Sequence, residues 1–462
     1  MDNSKNIAIF HYQVGHTDGV SLEIDKWKRV LEDLGHRVFL CAGELGYTEG
    51  TLIPEMYHHI PEIKLLNSNT FVRLNDFDPT SYAAEMERWK DFLLSPLRKF
   101  ILQNDIDYMI SQNIWCVAAH PPLAVALEHI RREFNLPALA HNHDFYWERT
   151  SGVALTCGEA IELADKYLPP RNPLIQHVVI NKIAQHELME RKGIPSKVVP
   201  NIFDFDSAPW VIDDYNQDFR ERIGLKANDL LILQATRIVR RKGIEMAIDF
   251  VQALNSNSRR AELQKRGLFD GRHFSEDSRI VLILAGYTLD DITGNYLNLL
   301  KTKAQRSGVE LLHIGEIVGY ERGERYQQKI YSLWDTYVHA DFITYPSLYE
   351  GWGNQFLEAV RARLPILIFE YPVYLSDIKH HGFHVVTLGD EIADRDDLGL
   401  AIAPKSKLEA AADQAVNLLT NVQERTLFVN HNFKIGQEQY SIDTLRKLLS
   451  PLINQKSWII DE

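Results

Sequence analysis

Short apolar runs, each followed by a segment of helical spacing, recur along the whole chain, and this alternation limits the possible fold more than any other feature. Ile7-Ala-Ile-Phe10 has the length of a buried strand; Leu22, Trp27, Val30, Leu31 and Leu34 then share a helical face, Gly35 stops the helix, and Val38-Phe-Leu40 begins the next strand. Similar runs follow at Tyr108-Met-Ile110, Ala138-Leu-Ala140 and Val178-Val-Ile180, separated by helix-length segments such as 123–134. Strands that are apolar throughout belong to a parallel sheet covered on both faces. The series restarts after Val198-Val-Pro-Asn-Ile-Phe-Asp204 and a polar stretch at 213–218. Its new members are Leu230-Leu-Ile-Leu233, Ile280-Val-Leu-Ile-Leu284, Leu311-Leu312, Phe342-Ile-Thr344 and Ile366-Leu-Ile-Phe369. The pattern predicts two doubly wound α/β domains in tandem, with ligands at the carboxyl ends of the strands and a cleft between the domains. We expect an N-terminal domain over 1–200, a second over 201–435, and a C-terminal helix, 436–462, packing back on the first. The polar segment 255–279 reads as a surface insertion with some helix in it.

Composition excludes several function classes. The 462 residues are 45% hydrophobic and 24% charged, an ordinary globular balance. A net charge of -13 argues against a sequence-independent grip on nucleic acid or on an anionic bilayer. Cys41, Cys116 and Cys157 are isolated, with no zinc spacing, which suits a reducing compartment. The polar Met1–Lys5 start lacks the pattern of a signal peptide, and no apolar stretch approaches the ~18 residues of a membrane span. The expectation is a soluble cytoplasmic protein without integral membrane contact.

Two segments carry chemistry. Tyr345-Pro-Ser-Leu-Tyr-Glu-Gly-Trp-Gly-Asn-Gln-Phe-Leu-Glu-Ala359 follows a strand and runs into a helix. It places Glu350 in a loop whose Gly351 and Gly353 let the backbone approach a ligand, Asn354 at the helix start where amides receive an anion, and Glu358 on the helix. A carboxylate so placed accepts hydrogen bonds from vicinal hydroxyls, as an acid does from a ribose. The second segment is Ala235-Thr-Arg-Ile-Val-Arg-Arg-Lys-Gly243, a strand-to-helix turn that offers Arg237 and Lys242 to a diphosphate. Arg240 and Arg241 read as solvated.

Arg237 and Lys242 before a glycine, then Glu350 and Glu358 in E-x7-E spacing, resemble the donor half of the retaining GT-B glycosyltransferases, specifically glycosyltransferase family 4. Val199-Pro-Asn-Ile-Phe-Asp204 is similar to that family's linker. The resemblance covers most of the chain. It implies two Rossmann-like domains, the first binding the acceptor and the second a nucleotide-sugar, UDP- or GDP-linked. It further implies that Arg237 and Lys242 hold the diphosphate, Glu358 the ribose and Glu350 the donor sugar, with Gly19 in the loop after the first strand and His143 at the sugar. The chain departs from the family at Asp18, which stands where a first glycine is usual; beside a diphosphate it would be unfavourable, so either it faces the acceptor or the loop opens differently. It departs again at Arg363, in place of a small residue, and at Glu370-Tyr-Pro-Val-Tyr374, in place of a Gly-rich loop.

The reaction so implied is retaining hexosyl transfer to a small soluble polar acceptor such as a sugar or sugar acid, with the leaving phosphate helping to take the acceptor's proton. It needs no separate cofactor and no metal: the strings Asp76-Phe-Asp78, Asp105-Ile-Asp107 and Asp204-Phe-Asp206 read as turns and caps. Tyr12, His16, Asp18, Tyr146 and Arg149 are the acceptor candidates, with His120 and Trp147 nearby; aromatic rings suit a sugar, and Arg149 with His16 suits an anion. A nicotinamide-dependent oxidoreductase is disfavoured because 14–19 is not GxGxxG. A nucleotide-sugar epimerase or hydrolase, and a non-catalytic sugar-nucleotide-binding protein, remain alternatives on the same fold.

Overall fold

The computed structural model describes residues 4–16, 18–148, 152–286, 295–319 and 321–454. The chain divides into two compact units, Met1–Ile202 with Ile442–Glu462, and Phe203–Ser441.

The first unit runs β1 (Asn6–His11), α1 (Gly19–Asp33), β2 (Arg37–Ala42), β3 (Thr51–Leu52), α2 (Pro61–Phe71), α3 (Pro79–Gln103), β4 (Tyr108–Gln112), α4 (Ile114–Val117), α5 (Pro121–Glu133), β5 (Ala138–Asn142), α6 (Gly158–Tyr167), β6 (Ile175–Val179), α7 (Lys182–Lys192) and β7 (Lys197–Val198). Among the described residues its strands form one parallel sheet in the order β3-β2-β1-β4-β5-β6-β7. Both faces are covered. Ala8 and Phe10 pack toward α3 and α5, while Ile7 and Ile9 pack toward α1, and all four are fully buried. Ile7, Ile9 and Phe10 each contribute about 1.5–3 kcal/mol by leaving water.

The second unit begins with α8 (Phe219–Arg222), β8 (Leu230–Gln234), α9 (Ile244–Leu254), α10 (Asn257–Arg266), β9 (Ile280–Leu284), α11 (Asn295–Ser307) and β10 (Glu310–His313). A small three-stranded sheet follows, β11 (Val318–Gly319), β12 (Gly323–Arg325) and β13 (Gln328–Ser332). Then come α12 (Leu333–Tyr337), β14 (Phe342–Tyr345), α13 (Asn354–Arg361), β15 (Ile366–Ile368), β16 (Val386–Thr387), the hairpin β17 (Asp394–Arg395) and β18 (Ala401–Ile402), α14 (Lys405–Thr420) and α15 (Val422–Tyr440). The main sheet is parallel, in the order β10-β9-β8-β14-β15-β16. Leu230, Ile232, Ile280 and Leu282 belong to its buried core with α9 and α14.

The expected borders move. Helix α15 passes unbroken through 435/436 to Tyr440, and the chain leaves the second unit after Ser441. Helix α16 (Ile442–Asn454) then lays Leu445, Leu449, Leu452 and Ile453 into the cluster that holds Ile24, Trp27 and Val30 of α1. Arg446 Nη2 donates to Asp33 at 3.0 Å along the same contact.

In each sheet the strand order reverses once, between β1 and β4 in the first unit and between β8 and β14 in the second. Connections on the two sides of such a point leave in opposite directions and open a crevice at the carboxyl ends of the strands.

Candidate active site

In the second unit the crevice is bounded by the loop after β8 and the loop after β14, which hold the two segments singled out above. The first loop closes with a 3₁₀ turn, Arg240–Lys242, and Gly243 at φ +57°. A Cβ on Gly243 would lie 2.2 Å from the Pro346 carbonyl oxygen, so only glycine lets the loops approach this closely. Leu348 N donates to Arg241 O at 2.8 Å and ties the loops together.

That closeness brings Lys242 onto Glu350. Lys242 Nζ donates to Glu350 Oε1, and Arg241 Nη1 donates to Glu350 Oε2 at 2.8 Å and to Tyr349 O at 3.0 Å. Burial pushes the Glu350 carboxyl up, but Lys242 and Arg241 outweigh it and hold the group below its ordinary value as a carboxylate. Burial also holds the Lys242 ammonium below its usual range, against the pull of Glu350, while Arg241 and Arg237 add like charge. The reading of Arg241 as solvated is therefore corrected: one of its nitrogens clamps the buried carboxylate. Arg240 is exposed, its guanidinium 5.6 Å from the Tyr296 ring.

Beneath Glu350 lie Tyr345 and Tyr371, both fully buried, with rings 5.9 Å apart at 84°. Tyr371 OH donates to Trp352 O at 3.0 Å, and a Cβ on Gly353 (φ +125°) would meet that hydroxyl at 2.1 Å. The departure at 370–374 thus has a structural consequence, since Tyr371 fills the space beside the glycine that starts α13. Gly353 offers α13 no side-chain cap, and its first turn carries no acid, so the helix start suits an anion. Asn354 is its first residue. Glu358 lies one turn along, 6% exposed, and accepts from Tyr337 OH at 2.7 Å.

In the first unit the corresponding crevice is lined differently. Asp18 is the N-cap of α1: its Oδ1 accepts from Val20 N and Ser21 N, and its Oδ2 from Gln13 Nε2 at 2.9 Å and Ser21 Oγ at 2.7 Å. Its oxygens thus serve the helix that Gly19 begins, a job that Asp18 and Ser21 announce in the sequence. His143 lies just beyond β5, 4.1 Å from the His141 ring, with Nε2 3.4 Å from Gln112 Oε1. Burial pushes its imidazole down to about 3, with His11 adding to the effect, so the ring is a neutral hydrogen-bonding group. Tyr12 is buried, donating to Ile114 O at 3.3 Å and accepting from Ala119 N at 3.1 Å. His120 caps α5. Tyr146 packs on Phe71, with ring centroids 5.4 Å apart, and Trp147 Nε1 donates to Glu187 at 2.6 Å. His16 is partly exposed, 3.8 Å from Glu44. Arg149 lies outside the described residues.

The three DxD strings have local partners. Asp78 caps α3, Asp76 accepts from Asn69, Asp107 from Asn6 N, and Asp204 from Asp206 N and Ser207 N. Among the described residues no group of three or more His, Cys, Asp or Glu is placed to hold a metal ion, and no helix is long and apolar enough to cross a membrane.

Comparison with known proteins gives this geometry a context. The family model for glycosyl transferases group 1 matches residues 216–425. The chain is 40% identical over 388 residues to a mannosylglucosylglycerate synthase of Petrotoga mobilis, covering 83% of this chain and 87% of that one. It is 35% identical over 444 residues to a mannosylglucosylglycerate synthase of Thermotoga maritima, covering 96% and 98%. Among solved structures it is similar to Anabaena HepE in complex with UDP and glucose, at 14% identity and TM-score 0.56 over 98% of this chain and 100% of that one. The sucrose-phosphate synthase of Thermosynechococcus elongatus matches at 12% identity and TM-score 0.57, covering 97% and 98%. These structural matches speak to the fold.

Proposed function

The chain belongs to the group 1 glycosyltransferases, and we propose that it moves a mannosyl group from a nucleoside diphosphate sugar to glucosylglycerate, or an acceptor of that kind, with retention at the anomeric carbon. The observation that carries this reading is the likeness to two mannosylglucosylglycerate synthases over most of both partners' length. A product of mannosyl, glucosyl and glycerate parts is what one mannosyl transfer onto glucosylglycerate yields.

On this reading Arg237 and Lys242 stabilise the charge that develops on the leaving diphosphate, a contact type worth about 3 kcal/mol apiece. The backbone of Gly351, Gly353 and Asn354 brings the start of α13 to the phosphates, Glu358 accepts from the ribose hydroxyls, and Glu350 accepts from a hydroxyl of the donor sugar. His143, held neutral, offers a hydrogen-bonding group suited to a sugar hydroxyl in the crevice of the first unit. The acceptor hydroxyl attacks the face from which the diphosphate departs: its oxygen bonds to the anomeric carbon, the sugar–phosphate bond breaks, and the phosphate oxygen takes the proton. The acceptor belongs to the first unit, where His16 and Arg149 are assigned to the glycerate carboxylate, while Tyr12, Asp18 and Tyr146 shape the surrounding structure. Both substrates are small molecules, and the three free cysteines suit a reducing, cytoplasmic setting.

Incubation with GDP-mannose, UDP-glucose and glucosylglycerate, followed by mass spectrometry, tests the reading. A product heavier than the acceptor by one hexose is expected. Free sugar without transfer would make the protein a hydrolase, interconverted donor an epimerase, and bound but unchanged donor a binding protein.

A further inference from the structure

We propose that Arg241 is a positioning residue of the donor-sugar site, where a single guanidinium nitrogen bridges the Tyr349 carbonyl and the Glu350 carboxylate and fixes the plane in which Glu350 meets a sugar hydroxyl. The inference rests on the function proposed above. It goes beyond it by making sugar discrimination depend on a residue outside the Arg237, Lys242, Glu350 and Glu358 pattern.

Three observations carry it. The two oxygens of Glu350 are divided between two cations, Oε1 taking Lys242 Nζ and Oε2 taking Arg241 Nη1 at 2.8 Å. A glutamate's terminal torsion is broad and roughly two-fold, so a cation on one oxygen restrains the carboxylate less than cations on both, and Arg241 supplies the second. The same Nη1 is 3.0 Å from Tyr349 O, and the Arg241 carbonyl accepts from Leu348 N at 2.8 Å. Arg241 is therefore anchored to the backbone on both sides of the residue it orients. Burial is also unequal across the pair, with the Glu350 side chain 7% exposed and that of Arg241 32%. The carboxylate has little water to orient it, whereas the arginine can be truncated without opening the core.

Epimeric sugars present the hydroxyl at one carbon in different directions. A carboxylate of fixed plane accepts well from one direction and poorly from the other, while a turning carboxylate accepts from both. Arg241 thereby acts on selectivity through Glu350 without touching the sugar.

The test compares wild type, Arg241→Ala and Arg241→Lys for kcat and KM with donors that share a nucleotide and differ in one epimeric centre, alongside the affinity for the free nucleoside diphosphate and the melting temperature. For Arg241→Ala we expect nucleotide affinity within about twofold of wild type, kcat lowered about tenfold, and the ratio of kcat/KM between the two donors reduced about tenfold. Arg241→Lys, which keeps a cation able to bridge the same two oxygens, should recover part of that ratio. An unchanged ratio with unchanged kcat would show a surface ion pair only. A fall in nucleotide affinity equal to the fall in kcat would show that Arg241 grips the diphosphate itself; either result overturns the inference. A wild type that transfers from no nucleotide-sugar would instead defeat the proposed function, so the two failures are separable.

Discussion

Replacing Glu350 by glutamine keeps the shape of the side chain and removes the charge that Lys242 and Arg241 share. The Lys242 side chain is 4% exposed and cannot turn to water, while Arg241, at 32%, can. The uncompensated charge is therefore essentially that of Lys242. Breaking one side of a buried pair costs about 3–5 kcal/mol; with Arg241 relieved by solvent, the lower end, about 3 kcal/mol, applies here. For a unit of this size that corresponds to a loss of about 6–12 °C in melting temperature. A nucleoside diphosphate should restore much of it. In the wild type the phosphates share Lys242 with a carboxylate already in place; in Glu350→Gln they meet no competitor. At a hundredfold excess over Kd, a ligand adds about 2.7 kcal/mol to stability, and tighter binding at the same concentration adds more. Thermal melts with and without UDP or GDP should thus show a lower baseline and a larger nucleotide-induced rise for Glu350→Gln, while transfer falls. A rise equal to or smaller than that of the wild type would refute the argument that the diphosphate and Glu350 both address Lys242.

Lys242→Ala and Arg237→Ala should each lower kcat/KM about a hundredfold while remaining folded, because each removes one charge facing the leaving group; near-normal turnover by steady-state kinetics would contradict the phosphate assignment. UDP or GDP should bind by calorimetry with EDTA present, and binding lost on chelation would count against a diphosphate held by Arg237 and Lys242 alone. Acid should unfold the first unit early. Burial pushes His120 and His177 down to about 4 and His143 to about 3, against about 6.5 in the unfolded chain, so the native state binds fewer protons. Stability from these three is intact above about pH 6.5 and is lost as the pH falls toward 3. From pH 7 to 5.5 the loss is about 1.3 kcal/mol each, or roughly 4 kcal/mol together, and a flat melting temperature across that range would contradict it.

The doubly wound architecture was legible because a central parallel strand has no solvent face. Leu230–Gln234 and Ile280–Leu284 are buried at every position, and their apolar runs, 230–233 and 280–284, are unbroken. Elements missing from that reading lack such a signal. The strands Thr51–Leu52 and Lys197–Val198 are two residues long and sit at the edges of the sheet. The β12–β13 hairpin is polar and turns through Tyr326 and Gln327 at φ +51° and +62°, positions for which asparagine and glycine are the recognisable choices. Helix α3 did announce itself, with Asp78 as N-cap and Pro79 in its first turn, but its polar first half obscures the apolar face.

The site was legible where the chemistry is local and hidden where it depends on two loops meeting. Basic residues ahead of a glycine, directly after a buried strand, point to an anion whatever the rest of the chain does. Two of the family departures likewise turn on one residue's backbone. Arg363 sits at φ +55° just past α13, where a small residue costs least, and its guanidinium packs 3.7 Å from the Phe433 ring centroid. Asp18 trades an open loop for a capped helix. Arg241 is different in kind. In the sequence it and Arg240 are neighbouring arginines of one basic run, and hydropathy cannot separate them. Which one turns inward is decided by the 3₁₀ turn at Arg240–Lys242 and by the hydrogen bond from Leu348 N, donated from a loop that arrives on another strand. That contact exists only because β8 and β14, distant in the chain, are neighbours at the point where the strand order reverses. Topology thus converts one of two equivalent charges into the partner of a buried carboxylate.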